Sequence, residues 1–144
     1  MRADPRARLV LLVDDSEDDR MFARDALRHV APDVLVAEAT NGVEAMAYLR
    51  DETRPLPDLV LLDLKMPLKD GFEVLAEMRL DPRLRHVPVV TIFTTATDQS
   101  FVRTAYAAGA NAFVGKPSTM AGLHEVMTGI VRHWFEIATL PQSR

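Results

Sequence analysis

The sequence contains no cysteine, which excludes disulfides, thiolate catalysis and cysteine-based zinc sites and is consistent with a reducing compartment. Long apolar runs are missing as well. Arginines precede an apolar stretch at the N-terminus, as in a secretory leader, but Leu9–Val13 is only five residues and a leader core needs roughly 7 to 15. Nothing approaches the roughly 18 apolar residues of a membrane span, so the expectation is a cytoplasmic protein without membrane contact. An excess of positive charge is also lacking. A net charge of -4 and a pI near 5.5 argue against a general nucleic-acid surface, which needs a basic patch or stripe. There is no internal repeat, low-complexity tract or long linker, and the proline-broken stretch Arg50–Pro57 is too short to join two domains. What remains is 144 residues, 48% hydrophobic and 26% charged, enough to bury a sizeable core as one domain spanning 1–144.

Short continuous apolar runs recur at Leu9–Val13, Leu59–Leu62 and Val87–Phe93, with weaker ones at Val34–Ala39 and Ala112–Val114. Runs of this length that do not alternate with polar residues suit strands covered on both faces. Helical patterns lie between them. Ser16 reads as an N-cap with Asp19 at the third helical position, followed by Phe22, Ala23, Ala26, Leu27 and Val30 on one face. Asn41 opens a second helix, and Gly71–Arg79 makes a third. A fourth runs from about Gln99 to Ala108 and stops at Gly109. The fifth starts near Ser118 or Thr119 and carries Leu123, Val126, Met127, Ile130, Val131 and Trp134 as one stripe. Strict strand–helix alternation over five units predicts an α/β architecture, a doubly wound five-stranded parallel sheet.

In such a sheet, ligands bind beyond the carboxyl ends of the strands, where strand order reverses. Polar residues follow the expected strand ends there: Asp14 and Asp15, Asp63, Thr94 and Thr95, then Lys116 and Pro117. Each alone reads equally well as an ordinary loop or cap residue. Together they need a counter-charge, because two carboxylates about 4 Å apart repel by about 4 kcal/mol at an effective dielectric near 20. Lys116 supplies one unit, and a divalent cation such as Mg²⁺ supplies two among hard oxygen ligands. A carboxylate beside such a cation, with a lysine and a hydroxyl, is equipped to accept a phosphoryl group. Asp63 is the best nucleophile because it ends the central strand with no adjacent acid, while Asp14 and Asp15 suit the metal.

The segments LLVDDSEDD, LVLLDLKMPLKDGFEVL, VTIFTTATD and GANAFVGKP, in this order, resemble the receiver domain of bacterial two-component response regulators. The resemblance runs from Arg8 to about Trp134, leaving 135–144 as a tail, and implies a flavodoxin-like (βα)5 fold. It implies that Asp63 is the phosphoacceptor, that Asp14, Asp15, Asp63 and the backbone carbonyl of Lys65 bind Mg²⁺, and that Thr94 and Lys116 hold phosphoryl oxygens. Phe113 falls at the family's switching aromatic, and a plain core aromatic is the equal alternative. Lys65 and Ala96 occupy the two positions that tune the phosphoryl lifetime in this family. Lys65 either shields or pairs with the phosphate, or faces solvent as a surface lysine. Slow self-dephosphorylation is expected.

The stretch after Trp134 holds no DNA-binding output module, and the features around it resemble stand-alone receivers that accompany bacterial phytochrome-type histidine kinases. The implied partners are a histidine kinase, including a bacteriophytochrome, and a second copy of the chain through C-terminal elements. For that contact Phe135, Ile137 and Leu140 are available unless the tail folds onto its own domain. The implied role is phosphoacceptance and signalling rather than enzyme turnover. A phosphate shuttle or sink shares every site residue. An aspartate-nucleophile phosphohydrolase is disfavoured, because Lys65 stands where its general acid would be, and no G-x-x-x-x-G-K-[ST] loop supports an NTPase. His29, His86, His124 and His133 match no metal or triad spacing.

Overall fold

A computed structural model describes residues 7–141 of the chain. Its strands are β1 (Leu9–Val13), β2 (Leu35–Ala39), β3 (Leu59–Leu62), β4 (Val89–Thr94) and β5 (Ala112–Gly115). The helices are α1 (Glu17–Val30), α2 (Gly42–Arg50), α3 (Gly71–Leu80), α4 (Gln99–Ala107) and α5 (Met120–Val131). The five strands form one parallel sheet in the order β2-β1-β3-β4-β5, the doubly wound arrangement expected from the alternation. Strand order therefore reverses between β1 and β3, where Val13 pairs with Leu62. The next residue of each strand is an aspartate.

Both faces of the sheet are covered, which is why the three central strands read as unbroken apolar runs. Val10 and Leu12 of β1 pack with Ala23 and Leu27 of α1 and with Leu123 and Met127 of α5. Leu11 and Val13 point the other way, toward Met46 of α2 and toward Val74, Leu75 and Met78 of α3. The helix starts follow their caps. Ser16, Asn41, Asp70, Asp98 and Thr119 each accept a backbone N–H of the first turn, and Asp70 with Glu73 completes a capping box. The fourth helix gives way at Gly109, whose φ of +105° is open to glycine at little cost.

Two expectations are corrected. β4 starts at Val89 instead of Val87, because Pro88 has no N–H to donate and the Val87 N–H closes a 3₁₀ turn onto Leu84 (3.0 Å). The apolar stripe of the fifth helix does not stay in one α-helical phase to Trp134. The helix ends at Val131 and widens into a π-helical turn over Arg132–Ile137, which leaves Trp134 and Phe135 half-buried.

Beyond that turn the chain folds back. Leu140 is buried among the residues of the α1/α5 core, so it is not part of a surface for a partner. Ile137 remains exposed. Arg8 Nη1 donates to the Pro141 carbonyl (3.2 Å) and to Asp58 Oδ1 (3.1 Å), while Asp58 Oδ2 accepts the Leu9 N–H (2.9 Å). The tail is thereby tied to the edge of the sheet opposite the strand ends that carry the aspartates. Tail residues 142–144 and the leader-like residues 1–6 lie outside the described residues.

Asp58 is buried, and its carboxylate accepts from both a backbone and a guanidinium donor. Replacing Asp58 by Ala leaves those donors without it and should cost about 2–4 kcal/mol of stability, read as a lower urea midpoint at unchanged slope.

Candidate functional site

The register that pairs Val13 with Leu62 sets Asp14 and Asp63 side by side at the carboxyl edge of the sheet. Thr94 pairs with Gly115, so Lys116 leaves β5 at the same edge. Both aspartates are mostly buried, at 7% and 8% exposure, while Asp15 faces solvent. One carboxylate oxygen from each of Asp14, Asp15 and Asp63 lies within 4.8 Å of the other two.

Asp14 is held on every side. Its N–H donates to the Ala39 carbonyl (3.1 Å), its Oδ1 accepts from Ser16 N–H (2.9 Å), and its carbonyl accepts from Arg20 Nη1 (2.7 Å). Glu38 of β2 fixes that guanidinium through Nε (3.2 Å). Asp63 Oδ1 accepts the N–H of Leu64 (2.8 Å). The Lys116 ammonium binds Asp14 Oδ2 (2.5 Å), Asp63 Oδ2 (3.2 Å) and a third acid, Asp19 Oδ2 (3.0 Å). Burial opposes the charged form of Lys116, but its hydrogen bonds to Asp14 and Asp19 and the charge of Asp63 outweigh it, and the pKa rises above the ordinary lysine range. Burial also pushes the Asp14 carboxyl up, against the pull of Lys116 and Ser16. The Lys116 pKa is raised because its one ammonium is shared among three carboxylates, whereas that of Asp14 is raised by its burial.

The remaining residues expected from sequence are placed as follows. Thr94 is buried, and its hydroxyl accepts the N–H of Ala96 (3.2 Å), so it is turned toward its own loop and makes no hydrogen bond to the carboxylates. Thr95 beside it is exposed. Phe113 is half-buried against the core, and its N–H on the outer strand donates to the Tyr106 hydroxyl (3.2 Å). Lys65 is exposed and does not reach Asp63; its ammonium lies 5.6 Å from the ring centroid of Phe101.

Three residues at the site were not expected. Asp19 was read only as a helix-start acid, although the third position of α1 faces the same edge as Asp14. Arg20 carried no sequence signal, because its target is a backbone carbonyl. Phe101 lies nearly forty residues from Lys65, and periodicity gives no hint of that meeting.

The donor set suits a hard divalent cation: three carboxylate oxygens converge, with a fixed ammonium on their flank. The loop that follows Asp63 is shaped by Gly71. Its N–H donates to the Leu64 carbonyl (2.9 Å), and a Cβ there would sit 2.2 Å from the Asp63 carbonyl oxygen.

Residues 10–128 match the family profile described as response regulator receiver domain. Response regulator Rcp1 of Synechocystis is 36% identical over 140 residues, covering 94% of this chain and 95% of that protein. Among solved structures, the phosphorylated cyanobacterial phytochrome response regulator RcpA superposes with a TM-score of 0.88 at 34% identity, covering 94% of this chain and 99% of its own. The Mn²⁺-bound form of Rcp1 gives a TM-score of 0.84, also at 34% identity, covering 93% and 99%.

Replacing Gly71 by Ala forces the added methyl against the backbone of Asp63. The variant should lose about 1–3 kcal/mol of stability, and any affinity of the carboxylate cluster for a divalent cation, followed by calorimetric titration, should fall with it.

Proposed function

Because this chain belongs to the response regulator receiver family, we propose that Asp63 accepts a phosphoryl group from a histidine kinase and that protein–protein contacts read the new charge. The observation that carries this reading is the Lys116 ammonium fixed between Asp14 and Asp63 at the point where strand order reverses. A divalent cation, which we take as Mg²⁺, held by Asp14, Asp15, Asp63 and the Lys65 backbone carbonyl would supply positive charge against the phosphoryl oxygens.

The chain's own residues do the rest. A carboxylate oxygen of Asp63 forms the new bond to phosphorus, the phosphorus–nitrogen bond of the donor phosphohistidine breaks, and the imidazole departs with the electron pair. Leu64 N–H and Lys116 hold the two carboxylate oxygens, which limits how the attacking group turns. Lys116 then stays with the phosphoryl oxygens in place of the charge that Asp63 has given up. The Thr94 hydroxyl accepts from Ala96 N–H and keeps its own proton to donate to a phosphoryl oxygen, so drawing Thr94 toward that oxygen carries the loop leading into α4 with it. In this reading Phe113 on β5, half-buried against the core, repacks as that loop moves. A full switch from 1:99 to 99:1 needs about 5.5 kcal/mol of differential stabilisation.

The partner is read as a histidine kinase of the phytochrome kind, supported by the similarity to RcpA and Rcp1. Exposed Phe22 and Met120 flank a cleft of about 410 Å³ that opens beside Lys116 and offers an apolar lip to a docking kinase. A second copy of the chain is the other partner, with exposed Ile137 and half-buried Phe135 as its contact. Residues 1–144 are read as one cytoplasmic receiver domain that acts as phosphoacceptor rather than as an enzyme. No helix among the described residues is long and apolar enough to cross a membrane.

Labelling by acetyl phosphate should be abolished in Asp63→Asn, and retained labelling on another residue counts against the assignment. The wild-type phosphoryl group should persist well beyond seconds. Lys65→Ala should shorten its half-life severalfold; an unchanged half-life removes Lys65 from lifetime control.

A further inference from the structure

The chain has three lysines, Lys65, Lys69 and Lys116. Two of them are paired with carboxylates: Lys116 with Asp14, Asp19 and Asp63, and Lys69 with Glu77. Lys65 makes no ion pair among the described residues. Its ammonium lies over the ring of Phe101, in the first turn of α4, and that ring meets Phe72 of α3 at 6.1 Å between centroids and a 45° tilt. Lys65, Phe101, Phe72 and Met66 line a groove of about 570 Å³ that reaches Asp15.

This contact is poised between two electrostatic effects. The π face of Phe101 attracts the ammonium. The partial positive charge at the N-terminal end of α4 opposes it there, offset by the Asp98 carboxylate that caps the helix. A phosphoryl group two residues back along the chain, on Asp63, presents more than one full negative charge and strong acceptor oxygens, a better partner for an ammonium than a ring quadrupole.

We infer that Lys65 and Phe101 form a charge-operated latch on α4. In the resting chain the ammonium ties the loop after β3 to the first turn of α4. Phosphorylation of Asp63 draws the ammonium off the ring, and Phe101 is released to turn within the adjoining groove. The inference rests on Asp63 as phosphoacceptor and adds a second line from that residue to α4, independent of the Thr94 hydroxyl. Phe101 acts as a positioning residue. It touches no reacting atom and sets where the Lys65 charge waits.

The test uses the full chain labelled with lysine carrying ¹³C at the ε carbon, which gives three methylene signals. Beryllofluoride with Mg²⁺ serves as the phosphoryl mimic. The Lys65 signal should be shifted upfield by the ring in the resting protein, and should lose that shift both in Phe101→Leu and on addition of the mimic. Hydrogen exchange of the amides at 99–104 should rise severalfold with the mimic. In Lys65→Met, which keeps an apolar stem and removes the charge, exchange should be raised beforehand and rise little more. A purely structural role for Phe101 predicts no change of exchange in Lys65→Met, and that result overturns the latch. So does a Lys65 signal without a ring shift at rest, or one that stays upfield while Lys116 responds to the mimic. If neither lysine responds and Asp63 is not labelled by acetyl phosphate, the phosphoacceptor reading fails and the latch falls with it.

Discussion

One ammonium among three carboxylates organises this end of the molecule. A parallel sheet whose order reverses between β1 and β3 must bring the ends of those strands together, and here both ends carry aspartate. Two such charges repel by about 4 kcal/mol at about 4 Å in a medium of effective dielectric near 20. Lys116 offsets that repulsion but cannot neutralise Asp14, Asp19 and Asp63 together. The uncompensated charge suits the edge to a divalent cation, and Asp14 is fastened through its backbone by Ala39 and Arg20 and through its carboxylate by Ser16 and the lysine. Rigid donors do not retreat from one another when the counter-charge leaves.

Much of this was legible in the sequence. Buried parallel strands advertise themselves as short unbroken apolar runs, and the residue just past each run lands on the functional edge, so Asp14, Asp63 and Lys116 follow from counting along the chain. The helix caps are equally local, since Ser16, Asn41 and Thr119 each act on an N–H group three residues away. Other features depend on three-dimensional meeting and left no periodic mark. Arg20 finds a carbonyl of Asp14 and a carboxylate of β2, and Phe101 meets a lysine from another loop. The π-helical turn after Val131 breaks the 3.6-residue period, so a stripe counted at that period overshot the end of α5. From sequence, Leu140 is open between a partner contact and a tail folded onto its own domain, and only the return of the chain onto the core decides for the second.

The two edges of the sheet have opposite characters. At the amino edge, Asp58 joins the first strand, through Leu9 N–H, to Arg8, and Arg8 to the tail at Pro141. Those bonds are neutralised in place, and they give nothing for a ligand to compete with. At the carboxyl edge, the Thr94 hydroxyl has settled for a backbone N–H and Lys65 for an aromatic face. Under the proposed function a phosphoryl group on Asp63 is the stronger partner for the Lys65 ammonium, and the Thr94 hydroxyl, which accepts from Ala96, still has its own proton to give. One sheet thus keeps a fixed end and a responsive end about one strand length apart.

Tyr106 gives the outer strand a further property. Its hydroxyl accepts the Phe113 N–H, a donor that points away from the sheet. An exposed strand edge is a template on which another chain can extend the sheet. Here the phenol occupies that donor and the half-exposed ring stands in the path of an incoming strand. A partner that meets the middle of β5 therefore meets a side chain carried by helix α4 at the Phe113 N–H. Recognition at this flank then depends on the position of a helix, which a loop movement can change, and not on strand pairing, which is harder to reverse.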